Sequence, residues 1–236
     1  MALSHWSILD TGPATAQRNM DLDAKLLSDL DPNSSSPILH LYDWSAPSVT
    51  YGHFIDPSRY FIQDPHVDLA RRPTGGGIIF HTTDWAFSIL VPAAHPAYSL
   101  NVMENYAFVN RLVIDLITQF MGNGYGSQMT LLSQEPLACN QPVSCFCMAK
   151  PTRYDVMVNG KKVGGGAQRR TKAGFLHQGS ISLAPPDEKL VESALLPGIS
   201  VRKAMQENTF ALLRDTSSAD LQEARRALAA LFPSIL

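Results

Sequence analysis

The sequence predicts an α+β fold with a central mixed, mainly antiparallel sheet flanked by helices. Three observations predict it. Strand-like apolar runs recur through residues 6–92 and return as a meander over residues 153–183. One long amphipathic helix separates these blocks, and further helical stretches are segregated near the C-terminal end. Strands mixed with segregated helices, rather than a strict strand–helix alternation, mark α+β domains.

The elements follow in order. Residues 6–10 read as a short strand closed by Gly12-Pro13. Met20, Leu22, Leu26, Leu27 and Leu30 then give residues 16–30 a helical spacing. A turn-rich loop at 31–37 precedes strand-like residues 38–42 and 49–51, and two Asp-Pro pairs interrupt residues 54–69. Next comes Arg71-Arg72-Pro73-Thr74-Gly75-Gly76-Gly77-Ile78-Ile79-Phe80-His81, followed by a second apolar run at 85–92. This stretch reads as strand–turn–strand. The clearest helix covers 103–121, where Val109, Leu112, Val113, Leu116, Ile117, Phe120 and Met121 share a face and Gly122-Asn123-Gly124 stops it. Residues 127–145 show neither period and are expected to form a long loop. Strands at 153–158, 162–167 and 175–183 follow, with Asn159-Gly160 as a hairpin signal. Helices are expected at 187–196, 201–213 and 219–232. The whole is expected to form one domain over residues 1–236, with 187–236 as a helical C-terminal extension.

Composition narrows the function classes. Hydrophobic residues are 45% and charged residues 17%, a globular balance rather than a disordered one. A net charge of −2 supplies no basic field for nucleic acid. A local basic patch at Arg169-Arg170…Lys172 is either a solvated loop or a meeting point for an acidic partner. No apolar run reaches the ~18 residues of a membrane span. The N-terminal residues lack the pattern of a signal peptide. Cys139, Cys145 and Cys147 are an odd number crowded into one short stretch, so a reduced, cytoplasmic protein is expected rather than a disulfide framework. No cysteine–histidine cluster has zinc spacing and no Walker-type phosphate loop occurs, so no metal site is expected.

Several residues could carry chemistry. Gly75, Gly76 and Gly77 could reach positive φ or admit a ligand close to the backbone, although an ordinary hairpin turn uses glycine equally well. A second cluster, Gly160-Lys161-Lys162-Val163-Gly164-Gly165-Gly166-Ala167-Gln168, favours the ligand. A cysteine such as Cys147 is either a buried structural residue or a nucleophile able to hold an acyl group as a thioester. Lys162 could place an ammonium near a ligand carbonyl or a thiol, and Lys161 beside it reads as an exposed neighbour. His81 is either a structural hydrogen-bonder or a pocket residue. Arg71 and Arg72 are adjacent, so one of them is expected to face inward.

These stretches together resemble the lipoate–protein ligase and octanoyltransferase family, whose fold is shared with biotin ligases. The resemblance rests on the Arg-Arg-Pro-Thr-Gly-Gly stretch, on Gly-Lys-Lys-Val…Ala-Gln, and on His177-Gln178-Gly179-Ser180-Ile181. Weaker pieces lie at 6–12, 19–23, 41–47 and 51–54. It implies a biotin/lipoate ligase-like catalytic domain, closest to the cysteine-dependent octanoyltransferases. In these a nucleophilic cysteine stands seven positions before a tyrosine, with a proline between, and Cys147…Pro151…Tyr154 matches that spacing. The resemblance therefore makes Cys147 and Lys162 the catalytic pair. Cys145 is the second choice for nucleophile, and Cys139 has no assigned role. Arg71, Arg72, Gly75, Gly76, Gly77, His81, Gly165, Gly166 and Ala167 are its implied substrate-binding residues. A role for His177 is doubtful, because the family often has the histidine one position later, on the other face of the strand.

Two activities share this scaffold. A ligase uses ATP and Mg to form lipoyl-adenylate. A transferase takes octanoyl from acyl carrier protein through a cysteine and requires no cofactor. Either would load a lipoyl domain, on the glycine cleavage H protein or a 2-oxoacid dehydrogenase E2. A third alternative is a non-catalytic homologue that only binds a lipoyl domain or an acyl chain. Thr82-Thr83-Asp84-Trp85 stands where ligases carry Asp-x-Gly-Asn, and the spacing from His81 to Ser88 is that of transferases. The segment after 179–183 is also short for the ligases' appended domain. Gly77 points the other way, since the nearest transferases often have arginine there, and Gly164-Gly165-Gly166 replaces a more usual Ala-Gly-Ser. The balance favours a transferase.

Overall fold

The computed structural model describes residues 5–34, 36–122, 128–135, 143–213 and 216–236. Cys139 lies outside them. The larger sheet contains β1 (Ser7–Ala14), β2 (Ile38–Trp44), β6 (Asp84–Pro92), β10 (Gly174–Ser182), β9 (Lys161–Arg170), β8 (Val156–Val158) and β7 (Met129–Leu131), in that spatial order. Only β1 and β2 run parallel; every other neighbouring pair is antiparallel. In the smaller sheet β3 (Ser48–Tyr51) lies between β4 (Asp68–Arg71) and β5 (Ile78–His81). The expected mixed, mainly antiparallel architecture is present.

Period-two alternation on β6 explains how the layers assemble. Trp85, Phe87, Ile89 and Val91 face one side. There they meet Val109, Val113, Leu116 and Ile117 of α2 (Val102–Met121) and Ala224 and Leu228 of α5 (Ser218–Leu231). Ala86 and Leu90 face the other side, toward Met20 and Leu27 of α1 (Ala16–Ser28). A separate apolar cluster joins the small sheet, through Val49, Ile78 and Phe80, to Phe146. It also takes in Val191 and Leu195 around α3 (Glu188–Ala194) and Met205 of α4 (Arg202–Asn208). Among the described residues, no helix is long and apolar enough to cross a membrane.

The structure corrects several expectations. The Arg71–His81 stretch is not a hairpin: β4 and β5 both pair with β3, parallel and antiparallel respectively, and the glycine turn spans the end of β3. The chain then leaves the small sheet, so the runs on either side of His81 belong to different sheets. β1 continues through Gly12-Pro13 to Ala14, with its register shifted between Asp10 and Pro13. An edge strand tolerates proline, because its outward N–H has no ladder partner. Met129–Leu131 is a strand within the expected loop, and α4 ends at Asn208 rather than continuing to residue 213. Asn159 and Gly160 do turn the chain between β8 and β9, both at positive φ (50° and 76°).

One buried polar network ties α1 to the glycine turn. The Asp23 carboxylate is inaccessible to solvent and accepts hydrogen bonds from Ser88 Oγ (2.6 Å) and Gln178 Nε2 (2.6 Å). It also meets His40 Nδ1 at 2.8 Å. Gln178 Oε1 in turn accepts from Thr74 Oγ1 at 2.6 Å. Asp23→Ala would strand three buried polar groups, each costing about 1–3 kcal/mol. We expect a loss of about 3 kcal/mol or more in urea unfolding; a change within about 0.5 kcal/mol, typical of a surface site, would contradict the network's importance.

Candidate active site

The glycine turn is built around Arg72. β4 ends at Arg71, whose guanidinium is exposed and lies over the Tyr51 ring at 5.8 Å. The next side chain turns inward and is 5% exposed. Arg72 Nη1 donates to the main-chain oxygen (3.0 Å) and Oγ1 (2.8 Å) of Thr50, and Nη2 donates to the carbonyls of Gly75 (3.0 Å) and Gly77 (2.7 Å). The turn is thus wound around one guanidinium. Gly76 adopts φ 82°, a conformation that favours glycine. A side chain on Gly77 would overlap the Cys145 carbonyl oxygen.

That overlap is avoided because the segment carrying Cys147 lies directly on the turn. A short 3₁₀ turn, Val143–Cys145, leads into Phe146, which bridges Ile78. Cys147 N–H donates to the Ile78 carbonyl at 2.8 Å. On the far side, Thr209 Oγ1 donates to the Met148 carbonyl (2.7 Å) and Asn208 Nδ2 to that of Ala149 (3.0 Å). Cys145 is turned elsewhere: its sulfur accepts from the Tyr60 hydroxyl at 3.0 Å. That hydrogen bond, with burial, raises the Tyr60 pKa to about 12.

Lys162 is the second residue of β9 and is buried with Asp155, its Nζ 2.8 Å from Asp155 Oδ2. It also donates to the Cys147 carbonyl at 3.1 Å. Asp155 is held in turn by the N–H (2.6 Å) and hydroxyl (3.0 Å) of Thr152. Just before it, Tyr154 sits at φ 69°, with its carbonyl accepting from Asn110 Nδ2 at 2.7 Å. Sequence reading passed over Asp155. Its only signal is a carboxylate one strand-turn away from a buried lysine, and a buried cation requires an anion or a pKa shift.

The second glycine cluster serves this packing. A side chain on Gly165 would overlap Asp155 Oδ1 and crowd Lys162, and one on Gly166 would overlap His177 Nε2. The space expected for a ligand at these two positions is filled by the protein's own side chains. Their backbone still borders the cleft, as does Ala167.

His81 is held from both sides, with Nδ1 2.7 Å from Asp84 Oδ2 and Nε2 2.8 Å from Thr50 Oγ1, and it stacks on Trp44 at 4.2 Å. Asp84 also accepts from Ser180 Oγ at 2.5 Å, and the His81 partner holds its carboxyl below the usual range against the opposing effect of burial. One cleft therefore gathers Arg72, Gly76, Gly77, His81, Cys147, Lys162, Gly165, Gly166 and Ala167. Met20, Tyr42 and Gln178 border it too and were not foreseen. Arg71 and Gly75 are not among its lining residues. Among the described residues, no three His, Cys, Asp or Glu side chains converge to hold a metal ion.

On β10, Gln178 faces the cleft and His177 faces the helices, so the doubt over His177 has a geometric basis. His177 is fully buried against Tyr106, with Nδ1 2.8 Å from Gln168 Nε2. Burial pushes its pKa down to about 3 from 6.5. The unfolded chain binds this proton below about pH 6.5 while the folded one does not, so acid destabilises the fold. The contribution is about 1.4 kcal/mol per pH unit between these limits. We expect His177→Gln to flatten the fall in urea stability between pH 6 and 4.5; an unchanged slope would show that the imidazole is protonated inside the fold.

The family model described as the lipoyl protein ligase A/B catalytic domain matches residues 15–216. The octanoyltransferase LipM of Bacillus subtilis is 29% identical over 209 residues, covering 86% of this chain and 74% of the relative. That of Halalkalibacterium halodurans is 28% identical over 207 residues, covering 86% and 75%. Among solved structures, Ta0514 from T. acidophilum with bound lipoic acid superposes with a TM-score of 0.66 at 20% identity, covering 98% of this chain and 86% of that one. A lipoate-protein ligase A bound with ATP gives 0.62 at 18% identity, covering 98% and 94%. These two likenesses concern the fold alone. The matched span includes both glycine clusters, Cys147, Asp155 and Lys162, and the chain belongs to the lipoyl protein ligase A/B catalytic domain family.

Proposed function

We propose that this chain is an octanoyltransferase that loads lipoyl domains through a thioester on Cys147, with Lys162 as its catalytic partner. The observation that carries this reading is the half-buried Cys147 thiol at a cleft that also holds Lys162, in a chain whose relatives are named octanoyltransferases. The donor is octanoyl–acyl carrier protein. The acceptor is a lysine of a lipoyl domain, on the glycine cleavage H protein or a 2-oxoacid dehydrogenase E2. In this reading the enzyme works in the cytoplasm.

The steps balance without a nucleotide. Cys147 thiolate attacks the donor carbonyl, the carrier's carbon–sulfur bond breaks, and octanoyl passes to Cys147. The departing carrier sulfur takes a proton from Lys162. The acceptor lysine, as a free amine, then attacks the new thioester. An amide forms, Cys147 leaves as thiolate, and Lys162 recovers a proton from the attacking nitrogen. Thioester exchange is close to energetically neutral and the amide is more stable than a thioester, so no ATP is required. Asp155 keeps the ammonium oriented beside the Cys147 main chain.

The test is the intact mass of the protein after incubation with octanoyl–acyl carrier protein, with and without ATP. We expect one octanoyl adduct in both, released by hydroxylamine and lost in Cys147→Ala. An adduct on Cys145 would shift the nucleophile by two positions. Labelling of an acceptor only when ATP and Mg are present, with no adduct on the enzyme, would replace this reading with the ligase alternative.

A further inference from the structure

The basic stretch Arg169-Arg170…Lys172 lies at the tip of the β9–β10 hairpin, with all three side chains exposed. Thr171 closes the turn: its N–H donates to the Gly174 carbonyl at 2.8 Å, and its Oγ1 accepts from Ala173 N–H at 3.1 Å. Elsewhere on the surface Lys25, Arg59, Arg202 and Lys203 are matched by carboxylates. Among the described residues the three hairpin cations have no carboxylate partner. Arg170 instead donates through Nη1 to the Leu100 carbonyl, which sets an 80% exposed leucine beside the charges. Glu104, in the first turn of α2, is engaged by Ser99 and Asn101. A single exposed leucine is ordinary. Crowded, unmatched cations in a chain of net charge −2 are a local reversal of sign, which favours an acidic partner over a merely solvated turn.

The patch adjoins the cleft along β9. Side chains alternate on the strand, so Arg169 shares a face with Ala167, which borders the cleft. A methyl group on Gly76 would lie 3.3 Å from Ala167 Cβ and 4.0 Å from Cys147 Sγ, so Ala167 and the sulfur approach each other across that glycine. Arg169 stands two residues on, about 7 Å further along the strand. The protein substrates of the transferase reading reach the sulfur differently. An acceptor lysine holds its amine about 6 Å from its own backbone, so its domain must press against the cleft mouth. The donor's thioester hangs on a phosphopantetheine arm that spans roughly 15 Å when extended and joins the carrier through a phosphodiester. With the thioester at Cys147, that anion and the carrier surface behind it can stand at the hairpin tip.

We propose that Arg169, Arg170 and Lys172 form the docking surface for the donor acyl carrier protein, meeting its phosphodiester and neighbouring carboxylates. The proposal rests on the transferase reading and gives the donor a place apart from the acceptor's. Charge draws the carrier in and lays its arm along β9. Exposed ion pairs are individually weak, so the unloaded carrier leaves readily once the acyl group has passed.

The experiment uses Arg169→Glu/Lys172→Glu, which reverses two exposed charges and leaves Arg170 on Leu100. Acylation of the enzyme is followed by intact mass with two donors, octanoyl–acyl carrier protein and octanoyl-pantetheine, which lacks both the phosphate and the protein. We expect the variant to lose about tenfold or more in rate with the carrier and to stay within about twofold of wild type with octanoyl-pantetheine. Added salt should slow the carrier reaction of wild type and affect that of the variant much less. The loaded variant should pass octanoyl to a lipoyl domain at the wild-type rate. Equal rates with the carrier in variant and wild type would overturn the proposal. An equal loss with both donors would do so too, by marking these residues as supports of the cleft. A variant slow only in discharge would overturn it by giving the surface to the acceptor. Wild type that takes octanoyl from neither donor would overturn the transferase reading and the docking surface together. Wild type that takes it from both, matched by the variant, would leave the reading standing and remove only the docking surface.

Discussion

Two backbone segments approach more closely than side chains would permit, and the site depends on that approach. Gly77 leaves room for the Cys145 carbonyl, and Cys147 N–H reaches the Ile78 carbonyl. The proposed nucleophile is therefore positioned by main-chain hydrogen bonds of the kind that join strands. Arg72 holds the turn from inside the cleft, and Asn208 and Thr209, at the end of α4, hold the Cys147 segment through the Met148 and Ala149 carbonyls. A helix distant in sequence thus contributes to the placement of the segment that carries Cys147.

The polar face beneath the cleft is the costly part of this fold. Asp23, His40, Ser88 and Gln178 occupy positions that apolar residues would fill more cheaply. Their hydrogen bonds offset the desolvation and fix one arrangement of α1, β10 and the glycine turn. The Lys162–Asp155 pair follows the same logic, and Gly165 is the vacancy that lets it fit. Glycine in this strand makes room for charged groups of the protein itself.

Much of the architecture was legible because it is local. The α2 stripe and the β6 alternation are periodic, and Asn159-Gly160 announces its turn. The resemblance located the Cys147 and Lys162 neighbourhood. What was not legible is non-local. Apolar runs on either side of a glycine cluster look the same whether they pair with each other or with a third strand, so the β4–β3–β5 sheet read as a hairpin. A strand of three residues at the sheet edge, such as Met129–Leu131, is too short to show a period. Asp155 carries no signal until its distance to Lys162 is known. Gln178 and His177 illustrate a register limit: adjacent residues on one strand face a cleft and a core, and only the pairing of β10 with β6 and β9 says which.

The central claim is that the acyl group travels through Cys147, and discharge of a preloaded enzyme tests it most directly. Protein acylated without nucleotide is separated from its donor and mixed with excess lipoyl domain, and both masses are followed in time. The account predicts that octanoyl leaves Cys147 and appears on one acceptor lysine at matching rates, unchanged by ATP. An acyl-enzyme that persists until ATP is supplied, or an acceptor labelled without loss from Cys147, would contradict it.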